Sequence, residues 1–221
     1  PHHFPIAKYE LLINLDDDPW ACEFAALFPQ DRLIGAYIKD GAHTYTESSA
    51  KWFDMSLISR YGKTIADRLK KENRRTYPSI LFEILQIPPG KPMLSIPDRE
   101  RRFAEAFSVT KLHQNQTTIG LNTGAGNRWR YKQLSQEKTA ALIDKINSSL
   151  NVNIILFGGC SEQERNKAIH SLSNYRAIDS GSTNSLLEFA ALISICDLLI
   201  TSDSLALHIA SCVGVPTIAF F

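Results

Sequence analysis

From residue 117 onward, short apolar runs alternate with segments whose apolar residues recur at helical spacing. TTIGLNTG reads as a strand running into a glycine turn. Behind it, SQEKTAALIDKINSSL (135–150) carries Ala141, Leu142, Ile146 and Leu150 at helical intervals, with Ser135 placed as the N-cap. The alternation continues with strand VNIILFGG, helix SEQERNKAIHSLS, strand RAIDSG, apolar helix SLLEFAALISI and strand DLLIT. Helix SLALHIASCV, ended by Gly214 and Pro216, and strand PTIAFF close the chain. Strands separated by such helices imply βαβ units with right-handed crossovers and a parallel sheet covered on both faces. This half is therefore expected to be a doubly wound α/β domain.

The first half is less regular. ELLINL and RLIGAYI read as strands flanking the helix PWACEFAALF, and a mostly helical stretch including KTIADRLKKENRRTY and SILFEILQ comes after them. IPPGKPMLSIPD (87–98) then holds four of the chain's ten prolines, a composition that suits an extended connector. Two strands are too few for a sheet of ordinary size. The chain also opens almost directly on a strand and stops on an apolar one, so an internal fragment is expected. The expected organisation is a partial N-terminal domain at 1–97, an interdomain linker at 98–111 and a second domain at 112–221.

Composition narrows the function classes. Among 221 residues, 24 Lys and Arg balance 23 Asp and Glu, and 44% are hydrophobic, as in an ordinary soluble globular protein. A net charge of +1 gives no reason to expect nucleic acid as a partner. Cys22, Cys160, Cys196 and Cys212 lie far apart without a C-x-x-C pair, which favours free thiols in a reducing compartment over disulfides or zinc. No apolar run approaches the length of a membrane span.

Candidate chemistry belongs at the carboxyl edge of the strands, where open α/β sheets bind ligands. In NTGAGNRWRYK, Gly124 and Gly126 allow a tight turn that lets a ligand approach the backbone, and Arg128, Arg130 and Lys132 add cations, a pattern suited to phosphate. A solvated basic loop would read the same way. In FGGCSEQER, Ser161 and Glu164 match a capping box, which leaves Glu162 free of that duty and able to accept hydrogen bonds from a ribose diol. Its bland alternative is a carboxylate favoured by the helix dipole. Ser185 and Glu188 form a second box, so Glu188 is structural. In TSDSLALH, Asp203 is read as the N-cap of a helix, leaving the amides of Ser204, Leu205 and Ala206 free at the sheet edge. Ser204, His208 and Ser211 share one polar stripe, which would face a cleft. A Ser–His–Asp hydrolase is excluded, because Asp203, Ser204 and His208 sit on one short turn and no G-x-S-x-G elbow exists. LDDDPW (15–20) reads as a cap at Asp18 with Pro19 at the first helical position.

Taken in order, LNTGAGNRWRYKQLSQEK, ILFGGCSEQER and LLITSDSLALHIASCVGVPTIAFF resemble the C-terminal domain of glycosyltransferase family 9, the heptosyltransferases. ELLINLDDDPWA, IGAYIKDG and NRRTYPSILFEIL resemble that family's N-terminal domain. The resemblance implies a two-domain GT-B fold with an acceptor-side domain followed by a nucleotide-sugar-binding domain. It makes Thr123, Gly124, Gly126, Lys132, Glu162, Asp203, Ser204 and His208 the donor-binding residues, with Lys132 on the diphosphate, Glu162 on the ribose and Asp203 in the family's D-[ST] motif. Leu134 stands where the family commonly has Trp, and Leu205 where Gly usually follows D-[ST].

The activity that the resemblance implies is inverting transfer of a sugar, heptose from an ADP-linked donor, to a lipopolysaccharide core or related lipid-linked glycan, without cofactor or metal. It implies a cytoplasmic enzyme in peripheral contact with the inner face of the inner membrane through its acceptor. The family's catalytic base lies in a G-D loop upstream of residue 1, so the chain alone is expected to be inactive. Another GT-B enzyme such as a nucleotide-sugar epimerase, or a non-catalytic nucleotide-binding module, is the alternative.

Overall fold

In the computed structural model, the described residues are 7–125 and 132–221. The chain divides into two units, Pro1–Gly90 and Lys91–Phe221.

In the first unit, β1 (Tyr9–Asn14) and β2 (Gln30–Lys39) run parallel and are joined by α1 (Pro19–Ala26). The Asp18 carboxylate accepts the Trp20 N–H at 2.9 Å, and Pro19 takes the first helical position, where no N–H is needed. Asp16 accepts the Asp18 N–H at 3.0 Å, so two of the three consecutive aspartates are engaged in shaping the turn. A third strand, β3 (Ala42–Tyr45), adds to the two expected and folds back antiparallel on β2. Its turn is Asp40-Gly41, with φ of 52° and 76°, the left-handed values a two-residue hairpin turn demands. The helical stretch comprises α2 (Ala50–Phe53), α3 (Lys63–Glu72) and α4 (Tyr77–Leu85). Phe53 packs with Cys22, Ala36 and Tyr45, while Ile34 meets Met55, Ile80 and Ile84.

Residues 87–97 carry neither helix nor strand, as the prolines imply, and the unit boundary falls among them after Gly90. Segment 98–111, expected as the linker, is a helix of the second unit instead: α5 (Asp98–Lys111). Its physical reason is an apolar stripe. Ala104 is buried and Phe103 and Phe107 pack beside it against that unit's core, which anchors the segment rather than leaving it to span a gap.

The remaining elements follow the predicted alternation: β4 (Thr117–Asn122), α6 (Gln136–Ser149), β5 (Val152–Phe157), α7 (Gln163–Leu172), β6 (Ile178–Asp179), α8 (Leu186–Ser194), β7 (Leu198–Ser202), α9 (Leu205–Val213) and β8 (Thr217–Phe220). All five strands pair in parallel, in the order β6-β5-β4-β7-β8. Along β5 the faces alternate: Ile155 and Phe157 join α5, α8 and α9, whereas Ile154 and Leu156 join Ile143 of α6 and Ile169 of α7. The sheet is thus covered on both faces, with the tight packing that a buried parallel sheet requires. A Cβ at Gly120 of β4 would stand 2.8 Å from the Phe157 ring and 2.9 Å from Leu199, so any larger residue there would force these core side chains to shift.

Candidate functional site

Counting outward from β4, the sheet is laid down in one direction to β6 and then in the other to β8. The reversal between β4 and β7 is the topological switch point, where two loops diverge and leave a crevice. A cleft of about 510 Å³ lies at this edge. Asn122 and Gly124 wall it at the end of β4, Gly158, Gly159, Ser161 and Glu162 after β5, the start of α8 on a third side and the start of α9 on the fourth.

Asn122 is the hub of the reversal. Its amide, buried to 7% exposure, donates towards the Gly124 carbonyl (2.9 Å), the Thr201 hydroxyl (3.0 Å) and the Ser204 hydroxyl (3.3 Å). Thr201 and Ser204 share a further hydrogen bond at 3.0 Å. The turn after β4 and the turn after β7 are thereby locked at a fixed separation, which sets the width of the cleft.

Glu162 is the acid of the site and is only 8% exposed. A short 3-10 turn, Cys160–Glu162, precedes α7. Through it, Glu162 Oε2 accepts the Gly159 N–H at 3.0 Å while the Glu162 N–H donates to the Gly159 carbonyl at 3.0 Å. The Ser161 hydroxyl donates to Oε1 at 2.9 Å. An ionised carboxylate has about four acceptor positions, and each Glu162 oxygen therefore keeps capacity towards the cleft. A Cβ on Gly124 would lie 3.2 Å from the carboxylate carbon, so the glycine keeps this acid accessible.

Two helix starts reach the cleft, and only one of them is left to favour the opposite charge. Ser185 caps α8, accepting the Glu188 N–H at 3.3 Å while Glu188 accepts the Ser185 N–H at 2.8 Å. Hydrogen bonds from the Ser185 backbone and then its side chain hold the Glu188 carboxyl below its ordinary range. At α9 the N-cap is Ser204, whose side chain accepts no capping bond, so Leu205 and Ala206 present uncapped amides at the cleft wall. Unsatisfied amides and the helix dipole favour an anion there. Phe189 of α8 supplies an apolar wall.

Lys132 and Asp203 form an ion pair, Nζ to Oδ2 at 2.5 Å, with side chains 29% and 36% exposed. The Lys132 hydrogen bond, then its charge, holds the Asp203 carboxyl below the usual carboxylate range. Arg165 of α7 donates to the Leu134 carbonyl, tying α7 to the segment that carries Lys132. Burial lowers the pKa of Arg165, while Glu162 and Glu137 counteract it.

Residues 54–221 match the family model described as glycosyltransferase family 9 (heptosyltransferase). The chain belongs to glycosyltransferase family 9. Among solved structures, it is similar to the glycosyl transferase family 9 protein from Veillonella parvula DSM 2008, with a TM-score of 0.68 and 20% identity over 95% of this chain and 56% of that one. The E. coli ADP-heptose lps heptosyltransferase II gives 0.58 and 14%, covering 95% of this chain and 62% of that one. The E. coli heptosyltransferase WaaC with ADP gives 0.54 and 16%, covering 96% and 60%. The chain thus spans somewhat over half the length of these structures, and the likeness shows a GT-B type α/β fold. No curated protein sequence matches it.

Within this family 9 chain, the sequence-predicted residues separate into groups. Gly124, Glu162 and Ser204 meet at the cleft. Lys132 and Asp203 meet each other, and the latter adjoins Ser204. Thr123 is buried, donating its hydroxyl towards the Phe157 carbonyl (3.0 Å) and Asn166 Oδ1 (2.6 Å), away from the cleft wall. His208 and Ser211 are exposed on α9 and do not line the cleft, so the expected stripe contributes only Ser204. Gly126, with Arg128 and Arg130, lies outside the described residues.

Two expectations are corrected. Asp203 does not cap α9: its carboxylate is taken by Lys132 and the cap falls one residue later, on Ser204. The capping duty in FGGCSEQER falls to Glu162, not Glu164, because the 3-10 turn shifts the start of α7; Glu164 pairs with Lys167 at 2.7 Å, its side chain 84% exposed. The structure adds Asn122 and Phe189, which sequence reasoning does not single out. An Asn closing a strand just before a glycine turn is the available signal for the first.

Proposed function

We propose that this chain carries the donor-binding side of an inverting glycosyltransferase that moves a sugar, heptose in this reading, from an ADP-linked donor to a lipopolysaccharide core or related glycan. The observation that carries the reading is the cleft at the strand reversal of a family 9 chain, with a buried carboxylate on one wall and an uncapped helix start on another. The spare acceptor positions of Glu162 suit ribose hydroxyls, Phe189 suits a flat apolar base, and the α9 amides with Lys132 suit the diphosphate. From the resemblance, Thr123, Gly126 and His208 also belong to the donor site.

In the reaction, an acceptor oxygen attacks the anomeric carbon as the bond to the diphosphate oxygen breaks and its electron pair leaves with the diphosphate. Lys132 and the α9 amides stabilise the developing charge. The acceptor proton goes to a base that the resemblance places upstream of residue 1. Membrane contact, in this reading, comes through the acceptor; among the described residues no helix is long and apolar enough to cross a membrane. Titration calorimetry with ADP tests the donor site. ADP binding that Glu162→Gln weakens at least about tenfold, the loss of a hydrogen bond to a charged group, supports the reading. ADP affinity indistinguishable from that of an unrelated protein without a nucleotide site overturns it.

A further inference from the structure

The ammonium assigned to the diphosphate is already engaged. Lys132 Nζ lies 2.5 Å from Asp203 Oδ2, and neither side chain is more than about a third exposed. A diphosphate and the Asp203 carboxylate are anions that seek the same ammonium, and both require short charge-assisted hydrogen bonds to it. One ammonium carries three donors, but pressing a second anion against the first carries a like-charge penalty.

We infer that Asp203 is a competing counter-ion for Lys132, so that a diphosphate binds by displacing it, and that the pair limits how tightly this site holds any nucleoside diphosphate, the free leaving group included. The inference rests on the donor-site reading above. Its logic is that of an exchange of partners: the unliganded site avoids an exposed cation, and the diphosphate gains Lys132 only after Asp203 gives it up. A site built for tight capture would leave the carboxylate out. One built for turnover gains from it, because Asp203 re-forms the pair as the diphosphate leaves and so opposes rebinding. Asp203 is in this sense a positioning residue that acts on the ligand through Lys132.

The test is calorimetry of ADP binding to the full chain and four variants. Asp203→Asn keeps the shape and removes the competing charge, and is expected to tighten ADP binding about two- to fivefold, the range of a partly exposed ion pair. Lys132→Met should weaken ADP binding at least about tenfold, as loss of a hydrogen bond to a charged group does. In the Lys132→Met background, Asp203→Asn should add nothing. A Glu164→Gln control should leave affinity unchanged, since its carboxylate pairs with Lys167 on an exposed face. Three outcomes overturn the inference: unchanged or weaker ADP binding by Asp203→Asn, an equal gain with and without Lys132, which would signal a general field effect, or an equal gain for uncharged adenosine. Unchanged ADP affinity in Lys132→Met would instead remove Lys132 from the donor site and overturn the reading on which the inference stands.

Discussion

The two sheets of this chain solve different problems. In the second unit, β4 and β5 are buried along almost their whole length, and helices cover both faces. In the first, β1 exposes Tyr9, Leu11 and Ile13 at 40%, 42% and 44% on alternate positions, so one face of that edge strand is open. The buried sheet also reverses strand order and so creates a crevice, whereas β1-β2-β3 contains no such reversal among the described strands. Tight packing and the candidate cleft therefore occur in the same place. A cleft whose polar groups must hold their geometry needs well-packed strands beneath it, and of the two described sheets the second is the one packed on both faces.

The largest expected effect contrasts those two packings. Phe157 is fully buried, fills the space above Gly120 and meets the Phe189 ring edge-on at 5.6 Å. Phe157→Ala should destabilise the second unit by about 3–5 kcal/mol, the cost of a large aromatic cavity. Ile13→Ala on β1 should cost less, about 1 kcal/mol, because nearly half of the residue is already in water. Hydrogen exchange of the β5 amides against those of β1, in urea, reports the two units separately. Similar losses from both variants would mean that the open face of β1 is covered in solution.

Next in size is the contrast between two carboxylates two residues apart. Glu162→Gln keeps the acceptor for the Gly159 N–H but removes the charge, and should weaken ADP binding by about 1.5–3 kcal/mol with a small change in melting temperature. Glu162→Ala should lose both affinity and stability. Glu164→Ala should leave affinity intact and change stability by less than about 0.5 kcal/mol, as a surface i,i+3 pair does. Equal affinity losses at 162 and 164 would disconnect the buried acid from the ligand.

That pair also marks the limit of what is legible in the sequence. Every strand and helix of the second unit from β4 to β8 follows from its apolar spacing, because burial on both faces leaves uninterrupted runs such as VNIILF. Caps are less legible. The S-x-x-E pattern at Ser161 matches a capping box, but a three-residue 3-10 turn, which periodicity does not reveal, moves the helix start. Asp203 yields its expected cap to a partner 71 residues away, and no local pattern encodes such a contact. β3 escapes the periodic reading although KDG contains the Asp-Gly hairpin signal; a four-residue strand has too few positions for alternation to stand out.

Caps in the two units give a smaller, sharper contrast. Thr76 caps α4 by accepting the Ser79 N–H at 3.3 Å, and Ser185 caps α8 at the same distance. Either change to Ala should cost about 1 kcal/mol of stability. Only Ser185→Ala should alter ADP affinity as well, since the start of α8 is a wall of the cleft. An affinity change from Thr76→Ala would show that general loosening, not the cleft, controls binding.

The smallest expected effect is a pH dependence. Among the described residues, three carboxyls are held below their ordinary range, and all belong to the second unit: Glu137 and Glu188 through hydrogen bonds from backbone and cap serines, and Asp203 through Lys132. A carboxyl whose folded pKa is depressed stabilises the fold at pH above its unfolded value, roughly 4.3 for Glu. That contribution fades as pH falls through the lower, folded value. Glu188 isolates one share of it, because Gln also serves in a capping box and the substitution removes only the titrating charge. The melting temperature of the wild-type chain should therefore fall more between pH 5 and 3 than that of Glu188→Gln, while above pH 6 the wild type should be the slightly more stable of the two. Exchange protection of the α8 amides should follow the same pattern, and that of α4 should not. Identical acid profiles for wild type and variant would mean that the Ser185 hydrogen bonds hold Glu188 equally well when it is protonated, and the box would then owe its strength to geometry rather than charge.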